Sequence, residues 1–171
     1  MSERRHPCVV NLSEIDPQTT GKGTRFGATR RGLGQATGAM RIGCTHYEVP
    51  PGKTAFPHHF HCVNDEALYV LEGEGTLRIG DAKVPVRPGD WINVPTGPAH
   101  AHQLINTGTA PLKYLCMSTL SAAEIAVYPD SKKVAAMAGP SYPQAIKGEL
   151  WTRMMTREGS GLDYYDGEDV G

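Results

Sequence analysis

Residues 56–75 read FPHHFHCVNDEALYVLEGEG: three histidines within four positions, then a carboxylate and an apolar run that ends in Gly73 and Gly75. Successive side chains of an extended segment point to opposite faces, so His59 and His61 project together while His58 and Phe60 project the other way. Glu66 stands at the head of the apolar run, and a tight loop after His61 brings its carboxylate back over the two imidazoles. A single His-x-His is weak by itself, because surface histidines are common and a satisfied core histidine is the commoner explanation. Its setting and a second histidine pair downstream give this stretch its weight.

Working outward, the segments ALYVL (67–71), GTLRIG (75–80), KVPV (83–86), DWINVP (90–95), HAHQLI (100–105) and LKYLCM (112–117) are separated by EGEG, GDA, RPGD, PTGP and NTGTAP. Short apolar strands with turn chemistry at nearly every junction predict an antiparallel barrel or sandwich. The 13 prolines and 20 glycines act as punctuation in this pattern. Upstream, RIGCTHYEV (41–49) predicts a strand ended by PPGKT, a weaker strand precedes it around TRFGATR, and residues 1–20 read as an arm. Downstream, STLSAAEIAVYP has the spacing of a capping box, Ser121 with Glu124, ahead of a short apolar run, which predicts a brief helix. QAIKGELWTRMM (144–155) suits helix or strand, and SGLDYYDGEDVG closes the chain as an acidic tail.

The chain has 171 residues, enough for one good core and too few for two ordinary domains. A formal charge of -1 gives no reason to expect a nucleic acid or an anionic membrane as partner. Arg25, Arg30 and Arg31 cluster without interleaved aromatics and read as a solvated face. The first residues lack the apolar run of a secretory signal, and no stretch has the ~18 apolar residues of a membrane span, so a cytoplasmic protein is expected. Cys8, Cys44, Cys62 and Cys116 form no CxxC pair and read as reduced thiols. Cys62 lies beside the histidines as a soft ligand or, more commonly, a small hydrophobe.

His100 and His102 also share a strand face by alternation. Neutral imidazoles with one carboxylate suit Fe(II), Mn(II), Ni(II), Co(II) or Zn(II). The stretch PGKTAFPHHFHCVNDEALYVLEGEG resembles the first motif of the cupin superfamily, a glycine, a His-x-His pair, a glutamate and, after six residues, a glycine, matched by Gly52, His59, His61, Glu66 and Gly73. PGDWINVPTGPAHAHQLIN resembles the second motif at Gly89, Pro95, Gly97, His102 and Asn106. Gly52 stands one residue further from the histidines than usual. Counting from Pro-x-Gly would select His100, whereas counting back from Asn106 selects His102. The rigid strand register favours His102, since the preceding turn absorbs two extra residues.

The resemblance implies an all-β fold, a double-stranded β-helix (jelly-roll) barrel over 41–118. An N-terminal arm and leading strand over 1–40 precede it, and a short helical or irregular extension over 119–171 packs on it. It implies a homodimer and a divalent metal ion (Fe, Mn, Zn, Ni or Co) held by His59, His61, Glu66 and His102, with His100 as the candidate for proton transfer. The expected activity is dioxygenase, decarboxylase or isomerase chemistry on a small oxygenated molecule. The competing expectation is a non-catalytic cupin that binds a small ligand or a metal, and a third is metal-free acid–base epimerase chemistry. Tyr69, Leu77, Ile79, Trp91, Ile92 and Leu104 are expected mostly in the core. Asp65, next to Glu66, faces away by alternation, and Asn106 is expected to tie strand ends.

Overall fold

The apolar segments become strands, and their alternation decides which side chains are buried. In the computed structural model, residues 6–141, 148–169 and 171 are described. Through them run β1 (Gln18–Lys22), β2 (Phe26–Gly32), β3 (Ile42–Val49), β4 (Phe60–His61), β5 (Glu66–Glu72), β6 (Gly75–Ile79) and β7 (Ala82–Val86). These are followed by β8 (Trp91–Val94), β9 (His102–Ile105), β10 (Leu112–Thr119), β11 (Ala123–Tyr128), β12 (Lys133–Ala138) and β13 (Thr152–Arg157). A single helical turn, α1 (Leu33–Ala36), links β2 to β3.

One sheet has the order β1-β2-β3-β10-β5-β8, a second β13-β12-β11-β4 and a third β7-β6-β9. The expected jelly roll is present as these sheets wrapped about a common core, and they do not close into one continuous hydrogen-bonded barrel. An antiparallel bridge between His59 and His102 joins the β4 and β9 segments. The core is filled from both sides. Tyr47, Val49, Leu68, Val70, Ile92, Val94, Leu112 and Tyr114 come from the large sheet, and Leu77, Val86 and Leu104 from the three-stranded one. Val49, Val70 and Leu112 are fully shielded from solvent.

Asn106 is also fully buried, and its amide donates to the carbonyls of Val49 (2.8 Å) and Ala110 (2.9 Å) while accepting from the Gly108 N–H (3.0 Å). It ties β3 to the β9–β10 turn, as expected. Gly73 turns β5 into β6 with φ of 78°, and a Cβ there would lie 2.4 Å from the Pro111 carbonyl oxygen, so both conformation and space require glycine.

Several expectations are corrected. Tyr69 and Trp91 are register partners on the outer face of β5 and β8, 38% and 59% exposed, and are not core. The helix predicted after Ser121 is the strand β11, because pairing with both β4 and β12 outweighs local capping propensity. Ser121 Oγ instead accepts the Ala123 N–H at 3.4 Å in a local turn. The N-terminal arm is ordered into β1 from Gln18 onward, paired residue by residue with β2. Residues 144–147 of QAIKGELWTRMM lie outside the described residues; of the rest, 148–151 are turn and loop and Thr152 onward is strand.

Candidate metal centre

Backbone pairing brings the distant histidines together. His59 N–H donates to the His102 carbonyl (3.1 Å) and His102 N–H to the His59 carbonyl (2.7 Å). Such directly opposed residues put their side chains on one face. Gly97 N–H donates to the His61 carbonyl at 2.9 Å, fixing the turn before β9 against β4. Glu66, at the head of β5 in the large sheet, reaches the same space from the opposite wall.

The side chains converge there. One ligand atom from each of His59, His61 and Glu66 lies within 4.8 Å of the others. Glu66 Oε2 is 3.5 Å from His61 Nε2 and 3.3 Å from His102 Nε2. His59 Nδ1 lies 2.9 Å from the Pro57 carbonyl and His102 Nδ1 3.1 Å from the His100 carbonyl. A carbonyl only accepts, so each Nδ1 carries a proton, which leaves Nε2 as the ring nitrogen able to ligate a cation. Nδ1 of His61 faces Glu124 Oε2 at 3.5 Å, leaving its Nε2 toward Glu66. Two imidazoles oriented at Nδ1 by a backbone carbonyl, and a third, His61, set between Glu124 and Glu66, give the ring nitrogens and carboxylate that suit a divalent cation.

The electrostatics agree with that reading. Burial, then the neighbouring His102 and His61, lower the His59 pKa to about 4, so this ring is neutral near pH 7. Burial alone would lower His61 too, but Glu124 and Glu66 outweigh it and raise the pKa to about 9. Burial works against ionising Glu66, yet His102 and His61 hold its carboxyl well below the usual carboxylate range. The Cys116 thiol, kept protonated by burial and by Glu66, donates to Glu66 Oε1 at 3.7 Å. Without a cation, the imidazolium of His61 supplies positive charge between two carboxylates.

The family model for the cupin domain matches residues 45–118, which run from within β3 to within β10 and include all four converging residues. The chain carries a cupin domain. Among relatives, an uncharacterized protein of Methanocaldococcus jannaschii is 39% identical over 70 residues, 41% of this chain and 54% of that protein, so only about half of that relative's length is shared. The oxalate-binding protein of Thermotoga maritima is 28% identical over 122 residues, 66% of this chain and 93% of that protein. Among solved structures, a sugar phosphate isomerase of the cupin superfamily from Silicibacter pomeroyi superposes with a TM-score of 0.75 at 25% identity. That match covers 91% of this chain and 97% of the isomerase.

Sequence reasoning missed one member of the cupin site. Glu124, buried on β11, accepts N–H bonds from Cys62 (3.3 Å), Val63 (3.2 Å), Asn64 (2.9 Å) and Ile125 (2.8 Å) in addition to facing His61. It therefore orients one imidazole and pins the loop that carries the chain from His61 to Glu66. The signal was the alternation in AEIAVY, which places Glu124, Ala126 and Tyr128 on one face, and a capping-box reading masked it. Tyr128 stacks on His59 with centroids 5.8 Å apart. With Tyr47, Phe56, Leu68, Leu104 and Tyr114 it encloses a largely apolar cavity of about 220 Å³ around the four residues.

His100 is not among the residues lining this cavity. It ends the 3-10 turn Pro98–His100, where strand alternation does not apply, and its Nδ1 lies 3.1 Å from the Thr96 carbonyl. His58 points away, as expected, toward Asp130 (3.4 Å), which itself grips Arg78 through two contacts of 2.7 and 2.9 Å. Asp65 also faces away and accepts the Thr96 N–H at 3.1 Å.

Proposed function

We propose that this protein is a metal-dependent cupin enzyme in which His59, His61, Glu66 and His102 hold one divalent cation and a small oxygenated molecule is transformed beside it, most simply by isomerisation. The observation that carries the reading is the Nδ1 orientation of His59 and His102, which leaves Nε2 as the ligating atom of each ring, together with His61 and the carboxylate of Glu66 in the same buried space. Bound there, a divalent cation supplies Lewis-acid polarisation of a hydroxyl or carbonyl oxygen. His61 is the ring that gives up a proton when the cation is taken up, since ligation needs the neutral imidazole. Phe56, Leu68, Leu104 and the three tyrosines exclude water and strengthen every charge interaction inside the cavity. Metals that use such ligands include iron, manganese, zinc, nickel and cobalt.

The likeness to the sugar phosphate isomerase favours aldose–ketose chemistry, because it extends beyond the cupin motif to the strands on either side. Proton exchange into the substrate from D2O, followed by NMR over a panel of small aldose and ketose phosphates, tests it: exchange should vanish on chelation and return with metal. A second reading is favoured by the relative that binds oxalate: a non-catalytic cupin that holds a small dicarboxylate. Tight oxalate binding without turnover of any panel member would support that reading over the enzyme. Among the described residues no helix is long and apolar enough to cross a membrane.

A further inference from the structure

Beyond the cavity, a groove of about 930 Å³ opens between the N-terminal strands and the C-terminal sheet, and His61, Glu124 and Tyr128 form the floor that it shares with the site. Two arginines line it, Arg30 on β2 and Arg153 on β13. Strand register places both on the site-facing side of their sheets. On the large sheet Gln18 pairs with Arg30, Arg30 with Tyr47 and Tyr47 with Tyr114, a cross-strand row whose inner members line the metal cavity. On the other sheet Glu124 pairs with Met137 and Met137 with Arg153, a row whose inner member faces His61. Directly paired residues share a face, so each arginine stands on the inward face of its sheet, outward of the metal centre.

The charge balance of the groove is also one-sided. Among the described residues, neither Arg30 nor Arg153 is ion-paired with a carboxylate; Arg30 donates to the neutral amide oxygen of Gln18 at 3.0 Å. The carboxylate of Glu124 is committed to His61 and to backbone N–H groups. Both arginines line the groove that shares His61 and Tyr128 with the inner cavity, which places them outward of the centre. A guanidinium fork matches planar and tetrahedral oxyanions, and one fork suffices for a carboxylate. Forks from two walls match a group with three peripheral oxygens.

We propose that Arg30 and Arg153 form a phosphate-monoester subsite, which holds the anionic end of the substrate while its oxygenated end reaches the cupin centre. This rests on the enzymatic reading above and names the substrate class for it. The test is titration of the chelator-treated full chain with inorganic phosphate, followed calorimetrically, with metal content measured on parallel untreated samples. Saturable binding is expected, weakened about tenfold or more by Arg30→Gln and by Arg153→Gln. Arg31→Gln, one residue along β2 on the opposite face, should leave it unchanged, and His59→Gln should abolish metal while keeping phosphate affinity. Absence of saturable binding in the wild type would overturn the subsite, as would indifference to both arginine substitutions or equal displacement by acetate. Loss of phosphate affinity in His59→Gln would also overturn it, by placing the anion on the imidazoles. Both arginines are exposed, so folding of the variants is checked simply by their melting curves. Phosphate binding without any metal in the untreated protein would instead refute the metal centre and leave the subsite standing.

Discussion

His61 lies between two carboxylates, and this single residue shows what each neighbour contributes. Glu124→Gln keeps the shape of the side chain but removes the charge that orients the ring, so metal affinity should fall by roughly 10–100-fold in a chelator-competition titration. The choice between His100 and His102 is tested the same way: His102→Ala should lose metal and His100→Ala should keep it. Protonation of His59 sets the acid side of stability. Its folded pKa of about 4 lies below the ordinary value of about 6.5, so between these the unfolded chain binds the extra proton. The melting temperature of chelator-treated protein should therefore fall as pH drops from about 6.5 to 4, and His59→Gln should flatten that limb. For His61 the sign reverses: its pKa is raised to about 9, so its contribution is complete below about 6.5 and is lost as pH rises through 9. The convergence of the candidate ligands was legible from alternation and spacing, whereas the place of Glu124 was not, because it depends on which strand β11 pairs with.

Strand β10 is the element on which the architecture turns, lying between β3 and β5 and carrying Leu112 and Tyr114 into the core and Cys116 against Glu66. Leu112→Ala should cost about 2–5 kcal/mol in denaturant unfolding at an unchanged slope, since the side chain is fully enclosed. Strands β5 to β10 could be read from turn punctuation, which is a local signal. β11 could not, since a short run with a capping-box spacing becomes strand only by adding to the edge of β4, where Ala126 pairs with His61 and Val127 with Phe60, far away in sequence. The exposure of Tyr69 and Trp91 was hidden for a related reason: an alternating strand declares two faces without saying which is inside, and the pairing of β5 with β8 decides it. Arg30 is exposed, as the reading of a solvated charge expected, and register adds that it stands on the face that leads to the site.

Across the whole molecule, the candidate ligands come from two walls, β4 and β9 on one side and β5 on the other, so a bound cation would staple the sheets together. Removing it should lower the melting temperature, and restoring it should raise the temperature with the logarithm of metal concentration once that exceeds the dissociation constant. The N-terminal and C-terminal strands add the groove and its arginines to a cupin core that already holds the candidate ligands. The most direct measurement is elemental analysis of the full chain purified without chelator, beside His59→Gln and His102→Gln prepared identically. One equivalent of a divalent transition metal per chain in the wild type, and little in either variant, is the expected result. A folded wild type free of metal after incubation with excess Fe(II), Mn(II), Zn(II), Ni(II) or Co(II), or variants that retain the full equivalent, would contradict the account.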